Sequence, residues 1–515
     1  MADLNSKSRG PGFQRSETSS AELHIYKQPA DPALFDRNPG TNKDIKFTGR
    51  SIRDDAPSLV SLSTSKEMGD SGGTWSATVK QPSPVSRRTD LREMIADDAW
   101  ADIHFNRHNR RHFVMRGMVN EIRRVQSAGR GATTVTYNIS GSDFTKVWQL
   151  TPIWFNKYID GDNTPENIGG AVAQKVFTAL GFGKSVPTIV KNYLFGFLEE
   201  LGKLGRASWE LPGDMLGTGE EKAFIKNIQY IHKGIFTNDP PRQGISPNFL
   251  DPNGANAWAM AQEWSDPAFC ELFTDLVNWE GFGQGERQLS EDNSRMSVVL
   301  RDRPFPVVGS LKNQGMDSPY FKLPTIEIPR EDVVTDDLGR GGMERYNAFF
   351  VSPQVTQEFL RNSGIEITAP SWDREDIDIH GLRRFDINSR YTLDVVELAN
   401  QGNTEQINDS LLTITKNQRA KIRDWYCMNP YLYNGSIELG RGEPEAHIGF
   451  RCRIPGRIPA EDFTGYIESV SHNWQFGQGI KTNLGVTRGW YGTDKDYMDT
   501  LRLLAGKYDG NRQGD

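Results

Sequence analysis

Residues 465–489, GYIESVSHNWQFGQGIKTNLGVTRG, read as a β-hairpin. A β-rich run ends at Trp474, Gly477 and Gly479 supply a turn that tolerates positive φ, and Ile480, Leu484 and Val486 line one face of a returning strand. Far upstream, residues 117–141, GMVNEIRRVQSAGRGATTVTYNISG, carry landmarks at the same offsets. Gly117, Gly129, Gly131, Thr134 and Gly141 match Gly465, Gly477, Gly479, Thr482 and Gly489, while Val119 and Ile122 match Ile467 and Val470. The second strands disagree in phase. Val135, Tyr137 and Ile139 fall on Asn483, Gly485 and Thr487, a slip of one residue that a bulge would absorb. Spacing leaves two readings open, one hairpin design used twice or a coincidence of common glycines.

A chain of 515 residues exceeds what a single core supports, so two or three domains are expected. Hydrophobic residues at 36% suffice for real cores beneath a very polar surface with 25% charged residues. A net charge of −7 argues against a broadly basic surface that grips nucleic acid. No apolar run reaches the roughly 18 residues of a membrane span, and the polar start MADLNSKSRG is no signal peptide. The expectation is a soluble chain made in the cytoplasm, without stable membrane insertion. Cys270, Cys427 and Cys452 are odd in number and lack CxxC spacing, which suggests reduced, buried thiols.

In chain order, residues 1–44 read as an extended N-terminal arm, ordered where something covers it. Residues 45–160 hold short β-like pieces, IKFTG, SLVSLST and GGTWSATVK among them, at a spacing that suggests a small barrel or sandwich. His104, His108 and His112 recur every four residues there, but NRHNRR is turn-like between two β runs, so they scatter around a hairpin tip and make no metal site. Residues 161–295 form a helical, loop-rich insertion. It has a cap at Thr164-Pro165, helix over 171–180, and an apolar stripe of Ile189, Tyr193, Phe197 and Leu201 beside Val190, Leu194 and Leu198. Helices are also expected over 255–264 and 267–279. GFGKS at 181–185 is no phosphate loop, because Thr178 stands where glycine is required, and GFGQGE at 281–286 lacks the strand and spacing of a dinucleotide fingerprint. Glu263, Glu271 and Glu280 offer no specific carboxylate pair.

Residues 296–430 hold further strands and helices, with strands near 297–301, 326–328 and 346–351, a short helix capped by Ser352 and closed before Gly364, and a helix over 411–425. The acidic run DREDIDIHG at 373–381 lacks the glycine placement of an EF-hand loop and reads as a solvated or helix-capping face. Residues 431–493 hold the strands that end in the hairpin at 465–489, and 494–515 are a final helix and polar tail. No Ser-His-Asp set, HExxH or GxSxG occurs, so catalysis has no candidate; no catalytic, cofactor-binding or metal residue and no cofactor is expected.

Several pieces in this order carry a resemblance: FVMRGMVNEIRR followed by YNISGSDFTKVW, SVVLRDRPFP at 297–306, ERYNAFFVSP, IHGLRRFD, and YIESVSHNW with KTNLGVTRG. Over about residues 45–492 the chain resembles the central baseplate hub proteins of contractile phage tails, a family with the T4-type hub, the late-control D proteins and the N-terminal part of type VI secretion spike proteins. HIGFRCRIP at 447–455 departs from it, with Phe450 where the family often has aspartate. The resemblance implies a mainly β, multidomain α+β fold, with two related small β-barrel tube domains and a helical insertion. It implies a non-enzymatic homotrimer in the virion tail baseplate, joining the hexameric tail tube to the trimeric central spike. Tail tube, spike and wedge proteins would be its partners, and genome DNA would pass through its channel without specific binding. A tail-associated peptidoglycan hydrolase acting through residues 161–295 and a spike component of a contractile secretion system are the alternatives.

Overall fold

The computed structural model describes residues 19–26, 44–49, 59–70, 72–80, 90–107, 110–129, 132–150, 187–198 in part, 211, 224–233, 256–276, 296–308, 316–353, 370–389 and 404–509. The first seven strands are β1 (Ser20–Ile25), β2 (Ile45–Thr48), β3 (Leu59–Glu67), β4 (Thr74–Lys80), β5 (Trp100–Arg107), β6 (Arg110–Gly129) and β7 (Ala132–Asp143). There follow β8 (Ile228–Lys233), β9 (Cys270–Asp275), β10 (Met296–Asp302), β11 (Thr325–Glu327), β12 (Val333–Gly339), β13 (Ala348–Pro353), β14 (Ser371–Trp372) and β15 (Arg384–Ser389). The last are β16 (Tyr433–Leu439), β17 (Arg451–Ile454), β18 (Phe463–Gln475) and β19 (Gly479–Tyr491). Helices are α1 (Leu91–Met94), α2 (Lys146–Gln149), α3 (Ala257–Trp264), α4 (Arg374–His380), α5 (Thr404–Tyr426) and α6 (Asp494–Asp509). The chain is mostly antiparallel β with some helices.

Thirteen strands join in one sheet of order β12-β16-β19-β18-β3-β4-β7-β6-β5-β1-β2, with β17 on β18 and β11 on β17. This order contains one five-strand pattern twice. Strands β3 to β7 pair as first-second-fifth-fourth-third, and β12, β16, β17, β18 and β19 pair the same way. Irregularities recur at matching places. A bulge at Asn120 answers one at Glu468, and a bulge at Val60 answers one at Val334. Chance glycines do not reproduce ladder topology and bulge position together, so the duplication is structural.

Pairing corrects the alignment of the second strands. Val119 pairs with Gly141 and Ile467 with Val486; Ile122 pairs with Ile139 and Val470 with Leu484. The counterparts are therefore Ile139 with Leu484 and Gly141 with Val486, not the matched glycines Gly141 and Gly489. The second hairpin turns earlier, closing at Gln475 and Gly479, while the first runs on to Gly129 and Ala132. The apparent slip comes from this shorter turn region, and the ladder bulges lie beyond it, at Asn120 and Glu468 in the first strands and around Arg488 in the second strand of the later hairpin.

Large and small side chains trade places between the copies. Trp75 stands opposite Gly141, and its indole fills the space over Gly117 and Gly141; Gly435 stands opposite Val486, whose methyl covers Gly465. A Cβ at Gly141 would lie 2.2 Å from the Met118 carbonyl oxygen and 2.3 Å from the Trp75 ring. Gly141→Ala should therefore cost about 1–3 kcal/mol by overpacking, seen as a lower denaturant midpoint. An unchanged midpoint would show that the strands reopen freely.

Leu62, Trp75, Ile103, Val119 and Ile139 build the first unit's core; Ile437, Phe450, Cys452, Ile467 and Leu484 build the second's. Of the expected N-terminal arm, Ser20–Ile25 lies as β1 between β5 and β2. Tyr26 donates its hydroxyl to Asp102 at 2.8 Å, and Arg116 grips the same carboxylate with two nitrogens, each at 2.8 Å. Strand β1 thereby covers the β5 edge.

Two small sheets flank the large one, β8-β10-β9 and β14-β13-β15. Strand β9 corrects the helix expected over 267–279. Asp266, at φ 59, stops the chain after α3, and all six residues of CELFTD are buried, so no amphipathic helical period exists there and the ladder with β10 takes the backbone bonds. Other expectations hold. Helix α3 falls within 255–264, and Val190, Leu194 and Leu198 are buried in helical positions. Asp373 caps α4 by accepting from the Asp376 amide, and Gly381, at φ 75, ends it. Cys270, Cys427 and Cys452 are free and buried. The short helix expected to begin at Ser352 is corrected: Ser352 and Pro353 end β13, where the parallel ladder with β15 sets them beside Asn388 and Ser389 and holds the backbone extended. The cap at Thr164, the helix over 171–180, Ile189, Tyr193, Phe197 and Leu201 of the apolar stripe, GFGKS, GFGQGE and Gly364 lie outside the described residues.

Candidate functional site

The titratable groups weighed from sequence occupy structural positions. His104 stacks on Phe113 with ring centroids 4.7 Å apart, and His112 pairs with Phe105 on the neighbouring register step, so the two rings face opposite sides of the ladder. His108 lies outside the described residues. Among the described residues no group of three His, Cys, Asp or Glu side chains could hold a metal ion.

Glu271, on β9, forms a buried pin between the small sheet and the second unit. Arg301 Nε donates to its carboxylate at 2.8 Å, and the Tyr466 hydroxyl lies 3.0 and 2.9 Å from its two oxygens. Arg301 also donates to the Tyr466 oxygen at 2.7 Å and to the Gly449 carbonyl at 3.3 Å. Gly449, at φ +80, is required there, since a Cβ would lie 2.6 Å from Arg301 Nη2. A cavity of about 380 Å³ opens beside the pin, lined among others by Glu263, Glu271, Arg303 and Glu468. Burial pushes the Glu468 carboxyl above the usual range. Glycoside cleavage needs two carboxylates free to act at one substrate bond. Both oxygens of Glu271 are already engaged, and Glu280 lies outside the described residues.

A seam joins the two units. Residues 469–475 of β18 pair with 61–67 of β3, fusing the two units into one sheet. Its buried face sets Val470 beside Lys66, His472 beside Thr64 and Trp474 beside Leu62, and Trp474 and Ile480 sit in the first unit's core. Ser19 seals the tip, accepting from Trp474 Nε1 at 3.3 Å on its carbonyl and from the Ile480 amide at 3.1 Å on its hydroxyl.

Burial holds the His472 and His104 rings down at about 3. In the unfolded chain each takes a proton below about pH 6.5. Their contribution is thus whole above that pH and is lost as pH falls toward about 3, at about 1.4 kcal/mol per pH unit for each ring. Urea unfolding at pH 7.5, 6.0 and 5.0 should show this slope, and His472→Gln should flatten it. A variant with the wild-type slope would mean that His472 takes its proton inside the fold.

Two strand edges match the two sides of the seam and stand at the ends of the duplicated pattern. Residues 121–127 of β6, EIRRVQS, correspond to 469–475, and β12, VVTDDLG, corresponds to β3. Among the described residues β6 leaves β5 after Met118, so 121–127 pair only with β7, and β12 pairs only with β16. Val125 is 44% exposed and Val334 61%. Sequence reasoning gave no signal for these edges, because the seam that defines them joins residues about four hundred positions apart.

No protein-family profile and no curated protein matches the chain. Among solved structures it is similar to a tail protein from Neisseria meningitidis MC58, at 10% identity and TM-score 0.45, covering 91% of this chain and 96% of that one. It is similar to the 43 kDa tail protein of prophage MuSo2 from Shewanella oneidensis, at 10% identity and TM-score 0.44, covering 93% and 99%. It is also similar to an E. coli component of the type VI secretion system described as structurally similar to T4 bacteriophage tail proteins, at 8% identity and TM-score 0.40, covering 87% and 76%.

Proposed function

We propose that the chain is the structural hub of a contractile phage tail, a homotrimer that joins the hexameric tail tube to the trimeric central spike. The observation that carries this is the doubled five-strand unit fused into one sheet by the β18–β3 seam. A sixfold tube and a threefold spike do not match in symmetry. Three chains with two alike units each would offer the tube six similar strand sets while keeping true threefold symmetry for the spike. Residues 45–160 and 296–493 would be the two tube domains, with 161–295 inserted between them. The ring would enclose the DNA path in the virion baseplate, and wedge proteins would contact its outside.

Light scattering on the purified chain, alone and with tube and spike proteins, tests this. A mass three times the 58.0 kDa chain in either condition is expected. A monomer indifferent to both neighbours would overturn it and direct attention to wall digestion, with Glu468→Gln as the first variant.

A further inference from the structure

We propose that residues 121–127 of β6 in one copy zip antiparallel onto β12 of a second copy, repeating between chains the seam that β18 and β3 make within one. The step rests on the hub reading for ring closure and on the duplicated topology for its geometry. Each unit's fourth strand has an N-terminal half covered by the unit's own third strand, β5 on β6 and β17 on β18. The C-terminal half of β18 then takes the next unit's first strand, β3. The C-terminal half of β6 has the same shape and bulge, and the first strand left for it is β12 of another copy. An edge that pairs with no further strand among the described residues and its counterpart, at the two ends of the duplicated pattern, make a head-to-tail contact, which closes into a ring under the hub reading.

The internal register, Ser469 with Glu67 through Gln475 with Ser61, fixes the expected one. Carried over, it sets Arg124 opposite Leu338 and Gln126 opposite Asp336 on one face, and Arg123 opposite Gly339 and Val125 opposite Asp337 on the other. Each arginine becomes the diagonal neighbour of an aspartate on its own face, within reach of a long side chain. Within one chain Arg123 bonds Glu121 at 2.6 Å, Arg124 lies 3.8 Å from Asp90, and Arg340, which would face Ile122, sits 5.8 Å over the Tyr433 ring. Arg123 and Asp336 and Asp337 are exposed, and Arg124 keeps 39% of its side chain exposed.

Charges on edge strands commonly keep copies apart. Guarding alone would favour one sign on both edges, whereas here two arginines meet two aspartates. The contrast with the internal seam is also physical. There the buried face holds Val470, His472 and Trp474; here the corresponding face carries the half-buried Ile122 and the exposed Arg124 and Gln126, so the contact between copies should be weaker, reversible and sensitive to salt.

The test uses the full chain with its tube and spike neighbours. Arg123→Asp with Arg124→Asp, or Asp336→Arg with Asp337→Arg, should each weaken association about a hundredfold, and the combined reversal should restore it. Val125→Cys in one chain and Asp337→Cys in another should form a disulfide between chains on oxidation, and Val125→Cys with Val334→Cys should not. A trimer that withstands both reversals and gives no 125–337 cross-link would overturn the joint while leaving the hub reading intact. A wild-type chain that stays monomeric with its neighbours would overturn both.

Discussion

Glu271→Ala should lower the free energy of unfolding by about 3–5 kcal/mol, because it leaves the Arg301 guanidinium buried and uncompensated. Arg301 and Glu271 side chains are 4% and 5% exposed, so the charge that loses its carboxylate is a largely desolvated one. The Tyr466 hydroxyl loses its acceptor in the same step, and burial pushes its own ionisation far up, so it remains a donor in need of one. The pin joins β9 and β10 to β18, hence the damage should spread from the small sheet into the second unit. Urea unfolding at neutral pH measures the loss. Replacing Glu271 and Arg301 together by leucine should recover most of it, since an apolar pair of similar volume leaves no stranded charge. A double variant no better than the single one would mean that the pair is not coupled.

Trp474→Ala should cost about 3–5 kcal/mol, the usual range for emptying a buried indole site. The side chain is 2% exposed and packs over Gly49, where a Cβ would stand 2.3 Å from the ring. Its chain position belongs to the second unit, but its packing belongs to the first. The loss should therefore loosen the seam from both sides. Hydrogen exchange should quicken in residues 61–67 of β3 as well as in β18. Quickening confined to residues 463–491 would show that the two units are stabilised independently.

Both variants act on contacts between segments far apart in sequence, and the division between what could and could not be read falls along that line. The hairpin at 465–489 was legible because period-two apolar spacing and a glycine turn are local properties. Its upstream copy was legible through Val119 and Ile122, which keep their offsets from Ile467 and Val470 in the folded ladders. The glycines misled about the second strand, since a residue's partner across a hairpin depends on where the turn closes, and the two turns close differently. The acidic run at 373–381 was legible as a solvated or helix-capping face, and Asp373 does cap α4, because caps bond within a few residues; the helix itself was not read from the sequence. CELFTD did not announce β9, because a strand buried on both faces has no period to show.

Sequence by itself determined the mainly β class, the hairpin at 465–489, the buried thiols and the helices over 257–264 and 411–425, and it raised the repeated hairpin as one of two readings. Tertiary structure alone decided the five-strand duplication, the β18–β3 seam, the Glu271–Arg301–Tyr466 pin and the two edges left at the ends of the pattern. The physical reason is that a strand's side-chain alternation is written along the chain, whereas the identity of the strand that fills its hydrogen-bonding edge is set by which distant backbone arrives beside it.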